Sequence, residues 1–302
     1  MTKRVAVAGS SGLIGGALRR LLADRGDEVL RLVRRPAQAP DEVAWDPEAG
    51  RLDPASLERV DAVVNLAGVG IGDHRWSAEH KRAVERSRVA ATGTISQALV
   101  SVLETTGRRV RLVNGSAVGF YGDRGDEVLT EASPAGTDFL AGLVTRWEAA
   151  TAPAAEAGLS VATARTGLVM AADGGAFAPL LRVTRLGLGG PLGSGRQYWP
   201  WITLADEARA LAHLIDRTDL TGPVNLVSPS PAPQKDIARA LGRALSRPAV
   251  LPAPRFAMRA IVGELADSIV ASQRVTPFRL AGSGFAFEHA DLDGAVRWLV
   301  GR

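Results

Sequence analysis

The stretch Val5-Ala-Val-Ala-Gly9-Ser-Ser-Gly12-Leu-Ile-Gly15 decides the fold of this chain. Its apolar beginning predicts a buried strand, and the residues that follow, to about Arg25, have the spacing of a helix. The turn between them needs Gly9 because a Cβ would obstruct it. Gly12 lets the backbone approach a pyrophosphate, and Gly15 lets the helix pack closely on the strand.

Unpaired N–H groups at the start of such a helix attract phosphate oxygens, so the stretch predicts a dinucleotide-binding loop. The alternative is a glycine-rich turn that holds no ligand. The residues expected to contact the cofactor are Gly9, Ser10, Ser11, Gly12, Leu13, Ile14 and Gly15.

The composition narrows the possible chemistry. The chain has 302 residues, of which 46% are hydrophobic, and it contains no cysteine, which excludes disulfides and thiolate catalysis. Its four histidines have no metal-site spacing, so we expect no metal. The net charge is only +4 and the arginines are spread evenly, so we expect no nucleic-acid partner. No uncharged segment reaches the ~18–20 residues of a membrane span. These features predict a cytoplasmic protein without a membrane partner.

Alternation of strands and helices predicts an α/β fold with a doubly wound, Rossmann-like parallel sheet. The pattern changes after Arg165, where glycine-rich irregular segments begin. We therefore expect a dinucleotide-binding domain over residues 1–165 plus about 200–228, and a smaller substrate-side lobe over 166–199 and 229–302. The predicted strands are Val5–Ala8, Val29–Val33, Ala62–Leu66, Val110–Val113 and Val161–Ala164. Helices are predicted over Val89–Leu103, about Leu204–Arg217 and about Gln234–Leu245.

The end of the second strand indicates the cofactor. NAD-preferring proteins usually place an acid there to accept the ribose hydroxyls, whereas this chain has Arg34 and Arg35. A guanidinium can bind the 2′-phosphate of NADP through two charge-assisted hydrogen bonds. The sequence therefore favours NADP, the alternative being two solvated surface arginines.

Two further segments complete a family pattern: Asp61-Ala-Val-Val-Asn-Leu66-Ala67-Gly68 and Val113-Asn-Gly-Ser116-Ala-Val-Gly-Phe-Tyr121-Gly. Together with the GxxGxxG spacing, they resemble the extended short-chain dehydrogenase/reductase superfamily. The resemblance implies that Leu66, Ala67 and Gly68 pass beside the cofactor. It also implies that Ser116 orients a substrate oxygen, and Tyr121 is the only tyrosine placed to assist proton transfer.

The chain departs from that superfamily at its catalytic pair. Family members use a YxxxK motif, whose lysine lowers the pKa of the tyrosine. The only tyrosines here, Tyr121 and Tyr198, are followed four residues later by Gly125 and Ile202. At the expected place, Phe139 or Leu140 replaces the tyrosine and Leu143 or Val144 replaces the lysine. We therefore expect the pKa of Tyr121 to stay near ~10 and any turnover to be slow.

Later segments resemble one subgroup, the epimerase-like proteins that end in a domain of unknown function. They include Trp147-Glu148, Arg165-Thr-Gly-Leu-Val, Gly189 to Gln197, Trp201-Ile-Thr-Leu-Ala-Asp206 and Gln273-Arg-Val-Thr-Pro277. The subgroup implies NADP binding with an unassigned substrate. Arg88 and Arg165 are expected to contact the cofactor, although Arg88 could be a helix-surface residue. Arg196, Gln197 and Tyr198 are expected to bind a polar substrate or to pack the lobes together.

These observations predict an NADP-binding oxidoreductase or epimerase-like protein that acts on a small molecule, with Ser116 and Tyr121 as its catalytic residues. A homodimer is compatible with this prediction. The alternative function is an NADP-binding sensor or partner-binding protein that kept the pocket and lost catalysis. The missing YxxxK favours the sensor, whereas the retained Ser116 favours the enzyme.

Overall fold

The computed structural model describes residues 2–301 of the chain. Its strands are β1 (Arg4–Ala8), β2 (Glu28–Val33), β3 (Glu42–Ala44), β4 (Ala62–Asn65), β5 (Arg111–Ala117), β6 (Val128–Leu129), β7 (Val161–Thr166), β8 (Leu168–Met170), β9 (Tyr198–Trp199), β10 (Trp201–Thr203), β11 (Gly222–Leu226), β12 (Ala232–Pro233) and β13 (Arg274–Val275). Its α-helices are α1 (Leu13–Asp24), α2 (Ala78–Thr106), α3 (Phe139–Ala149), α4 (Ala152–Glu156), α5 (Phe177–Arg185), α6 (Leu204–Asp216), α7 (Gln234–Leu245), α8 (Arg255–Val262), α9 (Leu265–Ile269), α10 (Phe278–Gly282) and α11 (Leu292–Leu299).

Seven parallel strands form the central sheet in the order β3-β2-β1-β4-β5-β7-β11. The strand order reverses beside β1, and in open α/β sheets ligands bind at the carboxyl ends of the strands next to such a reversal. Apolar side chains of α1 and α6 pack on one face of the sheet, and those of α2 and α4 pack on the other. The prediction of a doubly wound, Rossmann-like α/β fold is confirmed.

Two elements extend beyond their predicted limits because polar residues weaken their sequence signals. Helix α2 begins at Ala78 rather than near Val89, and the Ser77 side chain caps it by accepting a hydrogen bond from the backbone N–H of His80. Strand β5 continues past Val113 to Ala117 through three buried polar or small residues. Hydrogen bonds make this burial tolerable: Asn114 Oδ1 accepts from Asn65 Nδ2 of β4 and from Thr92 Oγ1 of α2, and Asn114 Nδ2 donates to the Gly115 carbonyl.

Three two-stranded pairs lie outside the central sheet, β8 with β10, β9 with β12 and β6 with β13. Apolar residues of α5, α7 and α11 form a separate cluster. Asp206 attaches the last part of the chain to α6, because its carboxylate accepts hydrogen bonds from the backbone N–H groups of Glu288 and His289 at 2.8 and 2.9 Å. Over residues 2–301, no helix combines the length and the apolar character needed to cross a membrane.

Candidate functional site

The glycine loop between β1 and α1 is shaped by its own backbone. Gly9 has a φ of +76°, and a Cβ there would lie 2.6 Å from the carbonyl oxygen of Leu66. A Cβ on Gly15 would overlap the Gly9 carbonyl, whereas one on Gly12 would come no closer than 3.4 Å to the described chain. Gly9 and Gly15 are therefore required by the fold, while Gly12 leaves space on the outer side of the loop.

The first turn of α1 presents unused hydrogen-bond donors to this space. Gly12 is the N-cap and provides no side chain to cap the helix. The first backbone N–H of α1 that forms a helical hydrogen bond is that of Gly16, which donates to the Gly12 carbonyl at 2.7 Å. Within residues 2–301, the N–H groups of Leu13, Ile14 and Gly15 therefore have no partner, and such donors suit an anion.

The two arginines after β2 differ in their environments. Arg35 donates to both carboxylate oxygens of Glu42, at 2.6 and 2.7 Å, and this pairing lowers the pKa of Glu42 to about 2. Arg34 is exposed, and it has no hydrogen-bond or ion-pair partner in the part of the chain that the structure describes. The sequence analysis gave Arg34 and Arg35 the same role, because the motif did not indicate that Glu42 of β3 would lie beside Arg35.

Residues Leu66, Ala67 and Gly68 leave the carboxyl end of β4, beside β1. The backbone N–H of Leu66 donates to the Ala8 carbonyl at 2.9 Å, which holds this segment next to the glycine loop. Arg88 of α2 lies against Gly68, and its Nη1 donates to the Val69 carbonyl at 2.9 Å.

Ser116, Tyr121 and Arg165 are brought together at the ends of β5 and β7, through a residue that the sequence analysis had not assigned to the site. Glu148 of α3 accepts a hydrogen bond from Ser116 Oγ at 2.6 Å. Arg165 donates to both Glu148 carboxylate oxygens at 2.8 Å, and its guanidinium lies 3.5 Å from the ring centroid of Phe120. The Trp147-Glu148 pair in the sequence indicated the subgroup, but it did not indicate which residues Glu148 contacts.

Tyr121 belongs to the same network but is fully buried, with 0% of its surface exposed. Its hydroxyl donates to Asn225 Oδ1 at 2.7 Å and accepts a hydrogen bond from Arg165 Nη1 at 3.1 Å. Burial raises the pKa of Tyr121, and the nearby Arg165 only partly offsets this effect. The pKa of Tyr121 is therefore higher than the expected value near ~10, because the motif around Tyr121 did not predict its burial.

Helix α3 carries apolar side chains where the superfamily has its catalytic pair. Leu143 and Val144 are buried in a cluster with Val84 and Trp147. Phe139 packs edge-to-face on Trp76 at 5.3 Å between ring centroids, with Lys81 Nζ 5.1 Å from the Phe139 centroid. Lys81 is paired with Glu264, so this lysine is not associated with either tyrosine.

The predicted substrate residues 196–198 have three different environments. Arg196 is exposed, whereas Gln197 is buried and its Nε2 donates to the Leu192 carbonyl at 2.9 Å within its own loop. Tyr198 is half-buried below Arg274. Gln273 links this strand to the Tyr121 turn: its backbone N–H donates to the Tyr198 carbonyl, and its Nε2 donates to two carbonyls of residues 118–122.

One buried acid was missed by the sequence analysis. Glu207, in the first turn of α6, is completely buried and accepts a hydrogen bond from Thr166 Oγ1 at 2.7 Å. Its Oε2 has no partner within residues 2–301. Burial raises the pKa of Glu207 to about 8, against the smaller effect of the Thr166 hydrogen bond. The sequence around Glu207 did not indicate this burial, because an acid beside Asp206 in the first turn of a helix is usually exposed.

Comparison with known families identifies two parts of the chain. Residues 5–227 match the family model described as the NAD dependent epimerase/dehydratase family. Residues 253–299 match a domain of unknown function, DUF1731. Both matches agree with the resemblance drawn from the motifs.

Individual relatives extend over the whole chain. An epimerase family protein of Mycobacterium bovis, Mb2239, is 44% identical over 299 residues, covering 99% of this chain and 98% of the relative. The human epimerase family protein SDR39U1 (isoform 2), whose crystal structure was solved with NADPH, superposes with a TM-score of 0.88 at 32% identity, with 99% of each chain covered. A nucleoside-diphosphate sugar epimerase of Corynebacterium glutamicum gives a TM-score of 0.81 at 34% identity, covering 98% of this chain and 57% of that one.

Proposed function

Because the chain belongs to the NAD dependent epimerase/dehydratase family, we propose that it binds NADP(H) along the carboxyl edge of its sheet and acts on a small molecule. Residues 1–165 and about 200–228 would bind the cofactor. Residues 166–199 and 229–302 would form the substrate side. The human relative solved with NADPH supports the cofactor assignment.

The three unpartnered N–H groups at the start of α1 carry this proposal. They follow Gly12 directly, where a Cβ would meet little of the described chain, and a pyrophosphate would accept hydrogen bonds from them. The segment Leu66–Gly68 would line the adjoining part of the cofactor. No side chain of the loop competes for the same donors, because the N-cap is a glycine.

Arg34 would select NADP(H) over NAD(H). It is exposed at the end of β2 with its donors available, so a 2′-phosphate can bind there without breaking an existing ion pair. Arg35 would contribute less directly, because its guanidinium is already paired with Glu42. Arg165 is likewise paired with Glu148, which argues against a direct contact with the cofactor.

For the reaction, we propose an oxidoreductase or epimerase step in which bound NADP(H) supplies or accepts a hydride. Ser116 would hold the substrate oxygen, and Glu148 would orient the Ser116 hydroxyl. Tyr121 would act as a positioning residue, since its buried hydroxyl fixes Arg165 and Asn225. A proton would have to come from water or a carboxyl group, because α3 offers no YxxxK pair.

The sensor alternative has one specific observation in its favour. The positions that would hold the catalytic tyrosine and lysine are apolar, and those at the lysine place are buried, so the helix could not exchange protons there. An NADP(H)-binding protein without turnover needs only the glycine loop and Arg34. Turnover assays with NADPH on carbonyl compounds and nucleotide sugars separate the two functions. We expect weak turnover, and a complete absence of turnover would favour the sensor.

Calorimetric titration with NADPH and NADH tests the cofactor assignment. We expect NADPH to bind at least ~10-fold more tightly, a difference of about 1.4 kcal/mol. Arg34→Ala should remove most of this preference, because it deletes the available guanidinium. Arg35→Ala is the matched control and should retain it. Equal affinities for both cofactors in the unmodified protein would contradict the assignment to NADP(H).

A further inference from the structure

Arg88 is held rigidly at the carboxyl edge of β4. Its Nη1 donates to the carbonyls of Val69 and Val84 at 2.9 and 3.0 Å, and its Cζ lies 5.1 Å from the Trp147 ring centroid. A Cβ on Gly68 would lie only 3.1 Å from this Cζ. The guanidinium is therefore fixed between the loop after β4 and the indole of Trp147.

The guanidinium of Arg88 has no acidic partner. None of the ion pairs within residues 2–301 includes it, and Asp73, the acid whose charge acts on it, lies beyond ion-pair distance. Burial lowers the pKa of Arg88 to about 10, because the distant charge of Asp73 offsets the loss of solvent only in part. Arg165 provides the contrast: burial acts on it in the same direction, but its bonds to Glu148 raise its pKa overall.

Two donors of Arg88 are available to a ligand. No hydrogen bond in the described part of the chain uses its Nε or Nη2. These two groups lie on one edge of the guanidinium, the arrangement that binds a carboxylate or phosphate through two parallel hydrogen bonds. Arg88 is half-buried, and a partly desolvated cation without a counter-charge is unfavourable, so an anion that pairs with it gains affinity.

The position of Arg88 relates it to the proposed substrate site. The Trp147 ring that stacks on Arg88 also packs on β5, where a Cβ at Gly115 would lie 3.2 Å from it. The next residue is Ser116, and Glu148 follows Trp147. Trp147 therefore links Arg88 to the carboxyl-end part of β5, at the residue before Ser116.

We propose that Arg88 binds a carboxylate or phosphate group of the substrate, so that the substrate of this protein is an anion. This inference rests on the proposed function, in which Ser116 and the cofactor share the cleft. The same chemistry could come from a phosphate of the cofactor. The two sources predict different responses to an Arg88 substitution.

The test uses the full chain saturated with NADPH, so that the cofactor occupies its own phosphate sites, and titrates it calorimetrically with inorganic phosphate and with malonate. We expect the unmodified protein to bind at least one of these anions. Arg88→Gln should weaken that binding at least tenfold, and Arg88→Lys should restore part of it because a lysine supplies charge without the paired donors. Arg86→Gln, which removes an exposed arginine of the same helix, is the matched control and should change nothing.

Several results would overturn the proposal. If neither anion binds the NADPH-saturated protein, or if Arg88→Gln binds it unchanged, the site does not recognise a substrate anion. If Arg88→Gln instead weakens NADPH binding as much as Arg34→Ala does, Arg88 holds the cofactor. Thermal unfolding verifies that Arg88→Gln is folded. If Arg88→Gln does not fold, the anion affinity of Arg88→Lys is compared with that of the unmodified protein instead. Failure of the proposed function itself would be distinguishable, because the unmodified protein would then not bind NADPH at all.

Discussion

Two regions share the carboxyl edge of the sheet but differ in how their polar groups are satisfied. At the glycine loop and the end of β2, backbone N–H groups and Arg34 have no partner within residues 2–301. At the ends of β5 and β7, Ser116, Glu148, Arg165 and Tyr121 satisfy one another through short hydrogen bonds. Unpaired donors are available to a ligand, whereas a closed network already satisfies its own polar groups. The first region therefore suits the anion binding that we propose, and the second is held together by its own hydrogen bonds.

The largest expected effect concerns Gly12. Gly12→Val should lower NADPH affinity by at least ~100-fold, about 2.7 kcal/mol, because the branched side chain would occupy the space opposite the unpaired N–H groups. The fold should survive, since a Cβ at this position meets little of the chain. Calorimetry for binding and circular dichroism for folding provide the measurements.

Two other glycines are the controls for that result. Gly15→Ala should instead destabilise the protein, because its Cβ would overlap the Gly9 carbonyl. Gly93→Ala, which has open space in the interior of α2, should leave NADPH binding unchanged and slightly stabilise the helix. A folded Gly12→Val variant that binds NADPH with native affinity would show that the phosphates lie elsewhere.

The second prediction tests whether the closed network is structural. Tyr121→Phe should lower the free energy of unfolding by ~1–3 kcal/mol, because Asn225 and Arg165 each lose a buried hydrogen-bond partner. Any activity should fall by less than the ~10²–10⁴-fold typical of an essential general acid. Ser116→Ala should have the opposite profile, with little loss of stability and a larger loss of activity. Urea unfolding and steady-state turnover measure the two quantities, and fast turnover abolished by Tyr121→Phe would restore the usual superfamily mechanism.

The third prediction concerns Glu207, which has one carboxyl oxygen without a hydrogen-bond partner within residues 2–301. Its pKa is raised to about 8 in the folded protein, so the folded state keeps this proton while the unfolded state releases it above about pH 4.5. The contribution of Glu207 to stability is therefore complete at acidic pH and is lost as the pH rises towards 8.

Glu207→Gln removes this titration and can still accept the hydrogen bond from Thr166. We compare the free energy of unfolding of Glu207→Gln with that of the unmodified protein at each pH. This difference should shift in favour of the variant by ~1–3 kcal/mol between pH 5 and pH 8. Urea unfolding at both pH values measures the difference. A pH-independent difference between the two proteins would mean that Glu207 is ionised in the folded state.

The sequence by itself determined the features that depend on local chemistry. Three such features depend only on residue type and spacing. They are the glycines at residues 9, 12 and 15, the apolar strands between helical segments, and the missing YxxxK. They were sufficient for the Rossmann-like fold, the family and the nicotinamide dinucleotide. The strand limits were less accurate where polar residues such as Asn114 continue a buried strand.

Only the tertiary structure decided which polar groups are already paired. Arg34 and Arg35 are adjacent in sequence and both exposed, yet Glu42 from the next strand pairs with Arg35 and, within residues 2–301, Arg34 has no partner. Arg165 is buried and Arg88 is half-buried, yet within the same residues only Arg165 forms an ion pair with a carboxylate. The reason is physical: the energy of a charge depends on its distance from other charges and from water, and residues far apart in the chain set both distances.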